Sequence, residues 1–293
     1  MHDQPVSSYQ GLELTPKRGL NTDFRSFPLS DLLFLGTYLL VGSVAGVMAG
    51  LLGVGGGVVI VPALIWVFGS QSVDPTILTH LAIGTSLGTI ILTSISSIRA
   101  HQKRDAIIWG VVRRLAPGIV IGAWLGAAIA DLMPSDLLRQ VFACFILFVG
   151  LQMLLGWRAG AHRVLPGAVA MFFSGNLIGT VSAIVGIGGG TLTVPFLTWC
   201  STGMRNAVAT SAACGLPIAL AGTLGFVVTG WGDPHLPAWS FGYLYLPALL
   251  GIISASYITA PFGARLAHTL PIPVLKRIFA VLLLVIGVKM LVG

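Results

Sequence analysis

Residues 53–62 read GVGGGVVIVP, with glycine at positions 53, 55, 56 and 57 and proline at position 62. This stretch interrupts an apolar run that extends from residue 32 to residue 69. A glycine in a helix interior costs about 1 kcal/mol relative to alanine, and a proline removes a backbone donor. The stretch therefore predicts a break in a helix, at a place where membrane-type sequence would otherwise continue.

The same pattern returns further along the chain, where residues 186–195 read GIGGGTLTVP. Residues 85–86 and 210–211 are also matching Thr-Ser pairs, and Pro117 matches Pro247. The distance in sequence between matching residues is not constant, and insertions and deletions in the loops explain this variation. Such self-similarity predicts two homologous membrane repeats. The predicted divisions are a polar N-terminal tail (1–30), a first membrane repeat (31–157), a linker (158–166) and a second membrane repeat (167–293).

The composition places the chain in a bilayer. Hydrophobic residues make up 55% of it and charged residues 9%, whereas a soluble domain carries about 25% charged residues. The fold class predicted is an all-α polytopic membrane protein. The net charge of +7 does not indicate nucleic-acid binding, because the cations fall in short loops, as they do in membrane proteins. The expected partners are the lipid bilayer and a small anionic substrate.

The apolar run at residues 32–69 leaves the topology open. It is nearly twice the length of about 20 residues that a single span needs. It is either two tight spans or one span followed by a broken, re-entrant element. One crossing would make the two repeats parallel, and two crossings would make them inverted. Each repeat therefore holds four or five membrane segments, with its glycine-rich break near the midplane.

The glycine breaks are candidates for a substrate site. A helix that starts at such a break directs its free N–H groups and the positive end of its dipole at the gap, which favours an anion without any buried cation. Close helix packing, for which small residues also serve, is the alternative explanation. The predicted substrate-binding residues are Gly53, Gly55, Gly56, Gly57, Gly186, Gly188, Gly189, Gly190, Thr191, Thr85, Ser86, Thr210 and Ser211.

Three further residues are predicted to assist the site. His80 and Arg205 each stand five residues before a Thr-Ser pair and could draw anions inward, and Asn176 is a polar residue within a span. Catalytic and metal-binding patterns are absent from the sequence, with no Ser-His-Asp order and no Cys/His cluster. We therefore expect transport rather than catalysis, and neither a cofactor nor a metal.

The duplicated glycine motif, followed by Gly84-Thr85-Ser86-Leu87 and a basic loop at residues 99–114, resembles the TauE/SafE sulfite exporter family, which includes permeases of the 4-toluene sulfonate uptake type. The resemblance covers residues 32–293. It implies a secondary transporter of the cell inner membrane that moves sulfite, sulfoacetate or a related sulfonate by alternating access. The second half departs from the motif, with Ala209 and Ala212 around its Thr-Ser pair. An anion channel and a carrier for small carboxylates remain alternatives.

Overall fold

The computed structural model describes residues 29–52, 56–155, 165–266 and 272–292, and it is nearly all helical. Within those ranges the chain forms ten helices and one hairpin of two short strands, which pair antiparallel with Ser240 opposite Tyr245. In chain order the elements are α1 (Leu29–Leu52), α2 (Gly57–Ser70), α3 (Leu78–Gln102), α4 (Trp109–Asp131), α5 (Ser135–Leu155), α6 (Ala168–Val185), α7 (Gly190–Trp199), α8 (Met204–Thr229), β1 (Ser240–Phe241), β2 (Leu244–Tyr245), α9 (Leu246–Leu266) and α10 (Ile272–Val292).

Five of the described helices, α3, α4, α5, α6 and α8, are long and apolar enough to cross a bilayer. Shorter apolar stretches run over Leu33–Met48, Gly57–Ser70 and Leu246–Ala260. Large apolar side chains also point outward along the bundle, as Phe173 and Leu250 do at 65% and 64% exposure. An apolar outer surface of this kind suits contact with lipid rather than water.

The long apolar run before residue 70 forms two helices, α1 and α2, instead of one. The break between them falls where the glycines predict it, although Gly53, Val54 and Gly55 lie outside the described residues. Helix α1 begins at Leu29, slightly before the predicted start of the first repeat at residue 31. Helix α5 ends at Leu155 and α6 begins at Ala168, so the predicted linker falls between these helices.

The most extensive contacts join α4 to α6 and α1 to α9. In both pairs, glycines let the backbones approach closely. Along α4 and α6, Gly118 packs on the Phe172 carbonyl and Gly126 on Thr180, so the two helices run parallel. Along α1 and α9, the contacts likewise advance together, from Gly42 with Ile252 to Gly46 with Ser256. These four helices form two parallel pairs, each joining an early helix to a late one.

Two other pairs run antiparallel. In the contact between α3 and α8, Gly222 lies beside Leu87 and Gly215 lies beside Ser94, so positions descend on one helix as they rise on the other. Helices α5 and α10 behave in the same way. Gly150 packs on Ala280, whereas Gly287 packs on Leu147. The antiparallel directions of α3 and α8 bear on how the two halves of the chain are related.

The two ends of the bundle differ in charge. One end joins the loops at residues 71–77, 132–134 and 230–245, which are linked through contacts such as the 3.9 Å approach of His235 to Asp74. We call it the acidic end, since it holds four of the described carboxylates: Asp74, Asp131, Asp136 and Asp233. The other, which we call the basic end, holds Asp105 and most of the described cations: Arg99, Lys103, Arg104, Arg113, Arg114, Arg205 and Arg277.

The close packing of α4 on α6 can be tested with alanine. A Cβ at Gly118 would overlap the Phe172 carbonyl oxygen, so we expect Gly118→Ala to cost about 1–3 kcal/mol through overpacking. Gly110, on the same helix, has open space around it. Gly110→Ala should therefore stabilise the protein by up to about 1 kcal/mol through helix propensity. Thermal unfolding in detergent measures both, and equal melting temperatures for the two variants would contradict the packing.

Candidate functional site

The first glycine segment, residues 53–57, meets the second, residues 186–190, at Gly57. A Cβ placed on Gly57 would be 2.7 Å from the carbonyl oxygen of Gly186 and 3.1 Å from the Cα of Ile187. The opening residues of the first segment, Gly53 and Gly55 among them, are outside the described ranges. The described contact nevertheless joins two stretches that stand far apart in the sequence.

Glycine is required at position 186 for a conformational reason. Helix α6 ends there, and Gly186 takes the left-handed conformation with φ of 68° and ψ of 30°. Its N–H donates to the Ala183 carbonyl, and the N–H of Ile187 donates to Ser182. This is a common way of ending a helix, and glycine adopts it without the penalty that a Cβ brings. The next helix, α7, starts only four residues later at Gly190.

Helices α2 and α7 both begin at these segments, and their first turns are uncapped. Gly56 and Gly189 occupy the N-cap positions, and neither helix has a side-chain cap among the described residues. The first N–H groups of a helix have no partner within it. Each helix start therefore presents free amide donors and the positive end of its dipole to the interior around the glycine segments.

The site is enclosed in this conformation. Gly56, Gly57, Gly188 and Gly189 are buried. The Ile90 side chain of α3 sits between the segments, since its Cδ1 lies 3.1 Å from a Cβ on Gly57 and its Cγ2 lies 3.3 Å from one on Gly188. The described lysines and arginines are on the end loops and helix ends. Backbone amides and hydroxyls are therefore the donors that this described interior offers to a ligand.

The predicted hydroxyl pairs take two kinds of position. Ser86 Oγ donates to the Gly186 carbonyl at 2.9 Å, which ties α3 to the second glycine segment. Ser211 Oγ donates to Val208 within its own helix, and its backbone carbonyl adjoins Gly189. Both serines therefore lie next to the glycine segments, as a contact with substrate would require.

The two threonines hold the starts of other elements. Thr85 Oγ1 accepts a hydrogen bond from the Tyr245 N–H at 3.0 Å, immediately before α9. Thr210 Oγ1 accepts one from the Ile108 N–H at 3.0 Å, immediately before α4. Each hydroxyl keeps its own proton for a further partner, and a role in substrate binding stays a prediction for both.

Helix α7 carries two hydroxyls without a partner. Thr191 Oγ1 and Thr193 Oγ1 are both buried, and neither has a hydrogen-bond partner among the described residues. Thr191 belongs to the predicted site. Thr193 was not predicted, although the alternation of Thr191, Leu192 and Thr193 directly after the glycines could have drawn attention to it.

The accessory residues are dispersed. His80 lies near the acidic end, where its Nε2 donates to the Ala130 carbonyl at 2.8 Å and its ring lies 5.1 Å from that of Tyr243. Arg205 lies at the basic end and donates to the Arg104 carbonyl at 3.0 Å. Asn176 is on α6, where its backbone packs on Gly122 of α4. Their proposed help to the site stays a prediction.

Tyr243 covers His80 at the acidic end. Burial and the nearby carboxylates Asp131 and Asp233 raise the pKa of its phenol, so the hydroxyl stays protonated. It donates to Asp233 Oδ2 at 3.3 Å. On the same surface, hydrogen bonds from the Thr76 hydroxyl and amide lower the pKa of Asp74. These contacts close this end over the start of α3.

Comparison with known proteins identifies a family that matches this chain. The family described as sulfite exporter TauE/SafE matches residues 38–290. A probable membrane transporter protein of Haemophilus influenzae is 38% identical over 255 residues, covering 86% of this chain and 96% of the relative. Probable membrane transporter proteins of Methanocaldococcus jannaschii and Bacillus subtilis are each 24% identical, and each match covers 96% of the relative. No solved structure matches.

The hydrogen bond from Ser86 to the second glycine segment predicts that Ser86 contributes more to stability than Ser211 does. Ser86→Ala leaves the buried Gly186 carbonyl without this donor, which should cost about 1–3 kcal/mol. The control, Ser211→Ala, removes only a bond within a single helix, and we expect a smaller loss. The measurement is the thermal stability of each purified variant, and a larger loss for Ser211→Ala would contradict the assigned contact.

Proposed function

Because the chain belongs to the sulfite exporter TauE/SafE family of membrane transporters, we propose that it moves a small sulfur-containing anion across the cell inner membrane by alternating access. The substrate class is sulfite, sulfoacetate or a related sulfonate. The observation that carries the proposal is the meeting of two glycine segments at the starts of two uncapped helices, in a buried interior.

The chemistry of this interior favours an anion. The N–H groups of a helix N-terminus donate to anionic oxygens, and the helix dipole adds a positive potential. The start of α2 lies against Gly186 and Ile187, and α7 starts three residues further along the same segment, at Gly190. Non-helical backbone at membrane depth is tolerated where protein buries it or where it lines a cavity. Transporter sites at discontinuous helices have this character.

We further propose that the two halves, α1–α5 and α6–α10, are inverted repeats. Under this relation α1 corresponds to α6, and α4 corresponds to α9, so the contact of α1 with α9 is equivalent to that of α6 with α4. Those are the two most extensive contacts in the bundle. The counterparts α3 and α8 run antiparallel, as do α5 and α10. Parallel repeats would instead make such counterparts run in the same direction.

The threonine hydrogen bonds support the same relation. Thr85 on α3 holds the backbone before α9, and Thr210 on α8 holds the backbone before α4. Exchanging the two halves of the chain converts one of these hydrogen bonds into the other. The Thr-Ser pairs thus have equivalent positions despite the alanines that flank the second pair.

The difference in charge between the two ends of the bundle supports one orientation of the protein in the membrane. Cytoplasmic loops carry the excess of lysine and arginine in membrane proteins. The basic end, which contains Lys103, Arg104 and Arg205, is therefore assigned to the cytoplasm. The acidic end, with Asp74 and Asp233, then faces outward. Inverted repeats place α1 and α10 so that the chain enters and leaves the bundle at this outer end.

Two alternatives make different predictions from the same site. An anion channel shares the helix starts but needs a continuous path, whereas the glycine segments are buried in this conformation. A carrier for small carboxylates would use the same donors, because amides and hydroxyls bond to carboxylate and sulfonate oxygens alike. Trans-stimulation of flux in liposomes distinguishes a carrier from a channel, and competition by dicarboxylates distinguishes the substrates.

Flux should depend on the second glycine segment. A side chain at Gly189 would meet the Ser211 carbonyl at 3.0 Å and the Gly215 amide at 3.2 Å. We expect Gly189→Leu to abolish uptake of labelled sulfite and sulfoacetate into liposomes. Gly203→Leu is the control, because Gly203 has open space around it. Unchanged flux in a folded Gly189→Leu protein would refute the site.

The inverted arrangement predicts which loops share a side. Single cysteines are introduced at Asp74, Asp105, Gly203 and Asp233 in a protein whose three native cysteines are replaced by serine. In intact cells, an impermeant maleimide should label positions 74 and 233 from outside and leave positions 105 and 203 unlabelled. Parallel repeats would instead place 74 and 233 on opposite sides, and labelling of only one of them would overturn the proposal.

A further inference from the structure

We propose that the Thr193 hydroxyl binds an oxygen of the anion beside the amides at the start of α7, so that the site is asymmetric between α7 and α2. This inference rests on the proposed anion transport and adds to it. The residues that carry it all lie in the described part of the chain.

Thr193 is a buried polar group without a partner. Its side chain is 0% exposed, and its hydroxyl makes no hydrogen bond to the described residues. Buried polar groups are nearly always hydrogen-bonded, and each exception calls for a specific explanation. A ligand absent from the structure is such an explanation.

The usual solution for a helical threonine is not used at this position. Such hydroxyls commonly bond to the carbonyl three or four residues earlier. Thr198, on the same helix, does so and donates to Val194 at 2.9 Å and to Pro195 at 3.0 Å. At Thr193 the backbone N–H donates to the Gly189 carbonyl at 2.8 Å, but the hydroxyl does not bond to it. The Thr193 hydroxyl thus remains available.

Both available hydroxyls are in the first turn of α7. Side chains on a helix lean toward its N-terminus, so Thr191 and Thr193 lean toward the second glycine segment. Because they are two residues apart, the two threonines lie on opposite faces of the helix, and one anion can meet only one of the hydroxyls. The hydroxyl of Thr193, which is the more deeply buried residue, together with the uncapped N–H groups of the same turn offers an oxyanion both amide and hydroxyl donors.

The matching positions on α2 are apolar. Val58 corresponds to Thr191 and Ile60 to Thr193, and these two residues are 1% and 2% exposed. The two helix starts share a backbone arrangement but differ in side-chain chemistry. The anionic group therefore sits against α7, and the organic part of a sulfonate lies toward the apolar first turn of α2.

The test compares Thr193→Val with Thr198→Val by thermal shift of the purified full-length protein. Sulfite and sulfoacetate are the probes, with sodium chloride at equal ionic strength as the reference. Hydrogen bonds to charged groups are strong enough that losing one should weaken binding roughly 10- to 100-fold. Without a probe, Thr193→Val should melt at a higher temperature than the unmodified protein, because a buried unpaired hydroxyl is removed. Thr198→Val should bind both probes normally.

A residue that only supports the fold would not gain stability while it loses affinity. If Thr193→Val binds a probe as tightly as the unmodified protein does, the inference is wrong and anion transport still stands. If the unmodified protein binds neither probe, the proposed sulfur-anion substrate fails first. Should Thr193→Val not fold, Thr193→Ser decides the matter. Because the Thr193→Ser variant keeps the hydroxyl, its affinity for the probe should stay within a few fold of that of the unmodified protein. A loss of affinity of roughly 10-fold or more contradicts the role of the hydroxyl.

Discussion

The physical constraint behind this structure is that backbone amides and carbonyls inside a bilayer must find partners within the protein. A broken helix violates that rule unless other elements cover the break. Here the cover is mutual, because Gly57 of one break lies against the Gly186 carbonyl of the other, and Ser86 donates to that same carbonyl. Each break thus depends on the other. Amides left free at the starts of α2 and α7 are then available to a ligand, and none of the lysines and arginines whose burial the structure describes is buried.

Close helix packing holds the two breaks together. Glycines on α1 and α4 allow backbone contact with α9 and α6, and these contacts join the early part of the chain to its late part. Lipid tails are as apolar as the helices, so association depends on such packing more than on hydrophobic burial. The glycine ladders therefore have a structural role. The glycine segments, which have several glycines in succession, stand instead at the starts of α2 and α7.

Much of the architecture follows from local features of the sequence. The low charge content predicts a polytopic helical bundle, and the glycine run predicts the division into α1 and α2. The sequence could not decide the directions of the helices, because those depend on pairings such as Gly215 with Ser94. The sequence pattern after the glycines marks Thr193 as a candidate but does not show that its hydroxyl lacks a partner. A threonine in an apolar helix ordinarily bonds to its own backbone, and only the structure reveals a buried hydroxyl that does not. The placement of Thr85 and Thr210 at the starts of α9 and α4 likewise required tertiary contacts.

We propose that the anion binds where the two glycine segments meet, against the first turn of α7. The most direct measurement uses selenite, a heavier analogue of sulfite, bound to crystals of the full-length protein and located by anomalous diffraction. We expect a selenium peak within hydrogen-bond reach of the α7 amides and the Thr193 hydroxyl. A selenium peak confined to the loops of the basic end, with none beside Gly189, would contradict it.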